Sequence, residues 1–326
     1  MLDPFFMPLT EALALGCIIA FIVTLGANVG SFLNVVVHRL PRGESLVFGG
    51  SRCPACHAAI RWRHNVPVLG WLLLRGRCHD CQSPIACRYP IVEAMCATMV
   101  GVVASVELLS GGATLPGVAF VAGRGGSDGL LFHTDWSLVA VCTVHCFLLV
   151  TLFAWALFDV EGHTVPRQWK AIACGVMIAA VAISPLVWPK VQTALLPVGL
   201  VSGIGGWPAA GVWWRGLAVS GAGAGFGWLV GSVTRSSVVR SGLILCGFAL
   251  GWQSVGAIAI LTPVFRTIRL IVCKAVRHKE PDHKGPDHKG PDVVAAAVLH
   301  LLLWRQCDQV AVEVGGIVNW IVFSGF

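Results

Sequence analysis

Charge is what this chain has least of. Of its 326 residues only 12% are Asp, Glu, Lys or Arg, against 56% hydrophobic, and the mean hydropathy is +0.77. A soluble domain carries roughly twice that charged fraction, so a water-soluble globule is excluded. Acid is especially sparse: no Asp or Glu occurs between Glu161 and Glu280. Tyrosine is nearly missing, one residue against 13 Trp, and Trp favours the headgroup level of a bilayer. Residues 1–10 hold no Lys or Arg. Without a basic n-region before the first apolar run, no cleavable signal peptide is expected.

Long apolar runs are abundant, and several approach or exceed the ~20 residues that cross a bilayer as a helix. Spans are predicted at about 11–36, 89–112, 136–158, 168–188 and 212–233, then over a long stretch 241–276 and a last one at 292–324. The stretch 241–276 is long for one helix, and Pro263 with Gly251 and Gly256 predicts a helical hairpin there. Arg305 and Asp308 interrupt the last one. The expected fold class is an all-α, polytopic integral membrane protein with seven or eight transmembrane helices.

Lys and Arg in the loops set the orientation. Residues 37–88 carry Arg39, Arg42, Arg52, Arg61, Arg63, Arg75, Arg77 and Arg88 against only Glu44 and Asp80, so this loop is expected in the cytoplasm. The N-terminal segment, with Asp3 and Glu11 and no basic residue, is expected outside. Basic residues beside spans account for the net charge of +7, and no nucleic-acid partner is expected. The organisation that follows is a first span at 1–36, a cytoplasmic loop at 37–88, a transmembrane core at 89–276, a charged repeat at 277–291 and a C-terminal transmembrane segment at 292–326. The repeat reads HKEPDHKGPDHKGPD over 278–292. A Pro-rich, charged five-residue unit cannot bury a core and is expected to be disordered, with Asp282, Asp287 and Asp292 inside it. The glycines of 221–227 sit in an apolar span with no Lys-Ser/Thr after them, which points to close helix packing rather than a phosphate loop.

Most of the 13 cysteines are small hydrophobes of apolar spans. Four are different. Cys53-Pro-Ala-Cys56 and Cys78-His-Asp-Cys81 form two CxxC pairs separated by 21 residues in the basic loop. Each pair can present two thiolates to one ion, and two pairs complete a tetrahedral shell. Structural zinc on Cys53, Cys56, Cys78 and Cys81 is the expectation, with the metal supplying the fold of a loop too polar to have its own core. Beyond the loop, Arg88 and Glu93 are expected to pair at the membrane face.

Around this loop stand GSFLNVVVHRLP at 30–41, NVPVLGW at 65–71 and CRYPIVE at 87–93. With the two CxxC pairs, these stretches resemble the type IV prepilin leader peptidase/N-methyltransferase family over most of the first hundred residues. The resemblance implies a bacterial inner-membrane enzyme that acts on the N-terminal segments of prepilins or pseudopilins at the cytoplasmic membrane face. It also implies N-methylation with S-adenosylmethionine, although no nucleotide-binding pattern is legible in the residues. The lipid bilayer is the other expected partner.

Proteolysis in such a family rests on two aspartates at the cytoplasmic ends of membrane helices, one activating water while the other donates a proton. WALFDVEGHTVP at 155–166 resembles the first motif and assigns Asp159 to the catalytic position. The second acid belongs in a Gly-x-Gly-Asp motif before a helix resembling LILCGFALGWQ at 243–253. Counting back places it near 238–240, where this chain has Val-Val-Arg. Two outcomes stand side by side: a prepilin peptidase-like protein degenerate at its second aspartate, or an active peptidase using Asp159 with another partner. A third reading is a non-catalytic zinc-containing membrane scaffold for pilus or secretion assembly.

Overall fold

The structure is a computed structural model, and it describes residues 7–48, 50–115, 126–183, 210–234, 236–276 and 290–303. Among the described residues it is mostly helical with no strands. Three helices among these residues are long and apolar enough to cross a membrane: Leu9–Arg42, Arg88–Leu109 and Trp136–Val160. The chain divides into two compact units, Met1–Ser105 and Val106–Phe326.

The first unit is built on α1 (Met7–Arg39) and α3 (Arg88–Ala104), with the short α2 (Leu69–Leu73) in the loop between them. Small residues bring α1 and α3 together. A Cβ added at Gly26 would stand 3.0 Å from the Ala97 Cα, and one at Gly30 would stand 2.8 Å from the Cys96 Cβ and 2.9 Å from the Glu93 Cα. Gly101 in turn meets Val23. The three contacts run in opposite directions along the two chains, so the helices are antiparallel. Leu33, Val37, Val92, Cys96 and Val103 fill the seam, while Leu13 and Phe21 of α1 are 62% and 69% exposed. Apolar residues left this open suit a helix solvated by lipid tails.

The second unit comprises α4 (Gly126–Leu131), α5 (Trp136–Val160), α6 (Arg167–Ile183), α7 (Ala210–Val233), α8 (Ser237–Leu250), α9 (Trp252–Val276) and α10 (Gly290–Leu302). Asp135 caps α5, its carboxylate accepting from the Ser137 and Leu138 N–H groups at 3.0 and 3.3 Å. The expected glycine packing is realised between α7 and α8. Gly223 meets Gly247, Gly227 meets Leu243, and a Cβ at Gly231 would stand 2.7 Å from the Arg240 Cα. One small residue per turn lets two backbones approach as no larger side chain would allow.

The apolar stretch 241–276 is divided between two helices. The break falls at Gly251, whose φ of +89° a glycine adopts without strain, while Pro263 lies inside α9. Residues 184–209, 277–289 and 304–326 lie outside the described residues, and with them most of the charged repeat and of the last expected span. The end of the repeat differs from its expectation. Gly290, Pro291 and Asp292 form the first turn of α10. Pro is tolerated there because the N–H it lacks would have no intrahelical partner, and an acid suits the helix N-terminus.

Candidate functional site

The loop of the first unit folds as the same small structure made twice. In each copy the backbone turns back on itself around a CxxC pair. Cys53 N–H donates to Ala58 at 3.0 Å and His57 N–H to Cys53 at 2.9 Å; Cys78 N–H donates to Ser83 at 2.8 Å and Gln82 N–H to Cys78 at 3.1 Å. His57 and Gln82, at matching positions, share the left-handed φ values of +57° and +58°. Isolated bridges Arg52–Ala59 and Arg77–Pro84 close the two turns, and Ile60 and Ile85 donate back to Ser51 and Gly76 at 2.8 and 2.7 Å.

The two copies face each other through sulfur. The Sγ atoms of Cys53, Cys56, Cys78 and Cys81 all lie within 4.8 Å of one another. Cys53 and Cys81 are 3.8 Å apart, Cys56 and Cys78 4.0 Å. Four sulfurs about 2.3 Å from a central zinc would stand ~3.8 Å apart at tetrahedral angles, so this donor set fits such an ion. The electrostatics agree. The Cys56 and Ala55 N–H groups lower the Cys53 thiol to about 7. At Cys56 the Ala58 N–H favours the thiolate, but Cys81, burial and the other two sulfurs outweigh it and raise the thiol to about 12. Four thiolates crowd together only around a cation.

The motifs flanking the knuckles meet in the same unit. Asn34 donates its amide N–H to the Tyr89 carbonyl at 3.2 Å, and Trp71 donates its indole N–H to Ile85 at 3.0 Å. Glu93, nine-tenths buried, takes the Val68 N–H at 2.6 Å. Val68 has φ +62°, a conformation a β-branched residue adopts only when its surroundings hold it. Glu93, expected to pair with Arg88, thus serves the 65–71 turn.

In the second unit, Asp159 occupies the last turn of α5, half-buried. The helix ends just after it. Gly162, with φ +72°, donates to Asp159 O at 3.1 Å, and His163 donates to Phe158 O at 2.9 Å. This paired arrangement is a Schellman stop, and it explains why Gly follows Asp-Val-Glu. The expected place of a second acid, near 238–240, lies in the first turns of α8, where Val238 and Val239 are buried. Asp292, assigned by sequence to a disordered repeat, is instead 3% exposed on α10. The next residue, Val293, and Leu152 of α5 both stand against Gly242, 3.4 and 3.3 Å from an added Cβ.

Sequence reasoning missed a buried polar group in this unit. Glu107, in a π-turn over Ser105–Leu109, and His145 of α5 are each 1% exposed and 2.8 Å apart. His300 and Ser254 form a second buried pair at 2.8 Å. The signal was present: Glu107, His145 and His300 are ionisable residues within predicted spans, which is a functional or packing flag in itself. The knuckle repeat was equally legible, since Arg-Cys-x-x-Cys-x-x-x-Ile occurs at 52–60 and again at 77–85.

The observations define a helical membrane protein with a four-cysteine cluster in its N-terminal unit. Residues 24–106 match the Bacterial Peptidase A24 N-terminal domain. A prepilin leader peptidase/N-methyltransferase of Myxococcus xanthus is 51% identical over 75 residues, 23% of this chain and 22% of its own length. One of Klebsiella pneumoniae is 39% identical over 159 residues, covering 47% and 60%. One of Aeromonas salmonicida is 29% identical over 218 residues, covering 55% and 69%. No solved structure matches the chain. The chain thus spans less than two thirds of the length of the first two of these relatives. Its likeness to the prepilin leader peptidase/N-methyltransferases is thus carried above all by its N-terminal domain, residues 24–106.

Proposed function

We propose that this chain is a prepilin leader peptidase-like protein of the bacterial inner membrane, acting on the N-terminal segments of prepilins or pseudopilins. The observation that carries the reading is the four-sulfur cluster, ready-made within the domain that matches the peptidase relatives. Zinc on Cys53, Cys56, Cys78 and Cys81 would be structural: the ion joins two knuckles whose backbone hydrogen bonds close within each one. Their loop lies in the cytoplasm in this reading, the N-terminus outside, and seven or eight helices span the bilayer, with the domain limits set out from the sequence.

Asp159 is the proposed catalytic carboxyl, held at the end of its helix by the Gly162 stop. Peptide hydrolysis needs a second acid. One carboxylate takes a proton from water as its oxygen bonds to the carbonyl carbon, and the partner acid protonates the carbonyl oxygen. With valine at 238 and 239, the usual arrangement is broken, and the chain is degenerate as a protease. One observation favours the active alternative. Asp292 is buried on α10, and its neighbour Val293 shares the Gly242 contact with Leu152, which lies two turns before Asp159 on one face of α5. S-adenosylmethionine as methyl donor rests on the likeness to relatives named N-methyltransferases.

The test is processing of a prepilin by the membrane-embedded protein, beside Asp159→Ala and Asp292→Asn. No cleavage by any of the three, with correct insertion and bound zinc, is the result expected of a degenerate protease. Cleavage lost in Asp159→Ala alone gives Asp159 a different partner, and loss in both variants establishes Asp292 as the second acid. Cleavage that survives in Asp159→Ala removes that residue from the mechanism.

A further inference from the structure

In the second unit, the end of the bundle that carries Asp159 also gathers positive charge. Only residues 161–166 join α5 to α6, so Lys170, in the first turn of α6, enters the bundle at the same end as Asp159. Its ammonium donates to the Ser241 hydroxyl of α8 at 3.2 Å. Arg240 precedes Ser241 on α8 and brings a second positive charge beside Lys170. The stem of Arg240 is packed down on α7, where a Cβ added at Gly231 would stand 3.0 Å from its Cβ and Cγ. Lys170, Arg240 and Ser241 are each half-buried.

No acid answers these cations. Among the described residues neither Lys170 nor Arg240 forms an ion pair with a carboxylate. The chain holds no Asp or Glu between Glu161 and Glu280, a stretch that includes all of α6, α7, α8 and α9. One residue before Lys170, the indole N–H of Trp169 is buried with no acceptor. Like charges repel, and the more so away from bulk water, while a partly buried charge without a partner is costly. What neutralises such a pair is an anion with several oxygens. A guanidinium fork can take two oxygens of a phosphate and the ammonium a third, and the Ser241 hydroxyl has a hydrogen of its own to donate. We propose that Lys170, Arg240 and Ser241 bind a phosphate group, carried by an anionic lipid headgroup or free as inorganic phosphate. The site stands at 238–240, where the resemblance places the second acid, so a position for a carboxylate holds a cation instead. In the proposed topology this end of the bundle lies at the inner leaflet, where basic clefts between helices meet lipid phosphates. The lipid source rests on that topology.

The experiment follows Lys170 itself. The full chain, delipidated in dodecyl maltoside and phosphate-free buffer, is treated with an amine-acylating reagent, and peptide mass spectrometry reads the labelling of each lysine. Phosphatidylglycerol, diacylglycerol or inorganic phosphate is added in parallel. A phosphate-bearing compound is expected to slow Lys170 labelling about tenfold, the scale of one charge-assisted hydrogen bond. Protection by phosphatidylglycerol alone assigns the site to a lipid headgroup, and protection by inorganic phosphate assigns it to the free ion as well. Arg240→Gln should remove most of the protection. Arg167→Gln, which removes an exposed cation from the same turn of α6, should leave it intact. The proposal is overturned if neither phosphate compound protects Lys170, or if diacylglycerol protects it equally. It is also overturned if Lys279 and Lys284 of the charged repeat are slowed as much, or if protection survives in Arg240→Gln.

Discussion

At the scale of single residues, the four cysteines make the sharpest prediction. Purified protein should carry one zinc ion per chain, and Cys53→Ser or Cys81→Ser should lose it, read by metal analysis. Chelation should expose 51–85 to proteolysis, because the backbone bonds inside each knuckle do not join one knuckle to the other. Protons compete with the metal for sulfur. Below the Cys53 value of about 7 this thiol too is protonated in the free site, so zinc affinity should fall as pH drops through that range and rise above it. Retention of zinc at low pH would contradict this ligand set. The residues of the cluster were legible in sequence from spacing alone. Asp292 was not, because its composition context is that of a solvated repeat, and only the packing of α10 shows the carboxylate to be buried.

At the scale of elements, glycine decides how closely helices approach. Gly30→Leu would drive a side chain into the Glu93 backbone, and overpacking of this kind costs roughly 1–3 kcal/mol or more. The expected result is a lowered unfolding temperature in detergent and a disturbed 65–71 turn, since Glu93 supports Val68. The buried Glu107–His145 pair makes a second prediction. Glu107→Gln puts a neutral amide against the buried His145, and leaving a buried polar group poorly satisfied costs about 1–3 kcal/mol. The double variant Glu107→Leu/His145→Leu should recover most of that loss in the same thermal measurement. A single variant as stable as the parent would show that the pair contributes nothing to the fold. Helix positions were readable from apolar runs, but their ends were not. Gly251 rather than Pro263 divides the stretch 241–276, because Pro lies where α9 can absorb it, whereas the φ of +89° at Gly251 halts a helix outright.

For the whole molecule, orientation is the property to measure. Single cysteines added to a chain stripped of native reactive thiols, in intact cells, should be labelled from outside near residue 10 and only after permeabilisation at 44–48. The opposite pattern would invert the proposed topology. Class and the likeness to prepilin peptidases were legible in the sequence itself: apolar run length and scarcity of charge point to a bilayer, and paired CxxC motifs at fixed spacing offer four candidate ligands to one ion. These are local properties, set by composition and chain connectivity. Tertiary structure alone decided what distant segments do together. It brought four sulfurs within 4.8 Å, turned Glu93 onto Val68, paired Glu107 with His145 and buried Asp292. Such contacts join residues tens of positions apart, and no local pattern encodes them, because they depend on which helix faces meet and in what register.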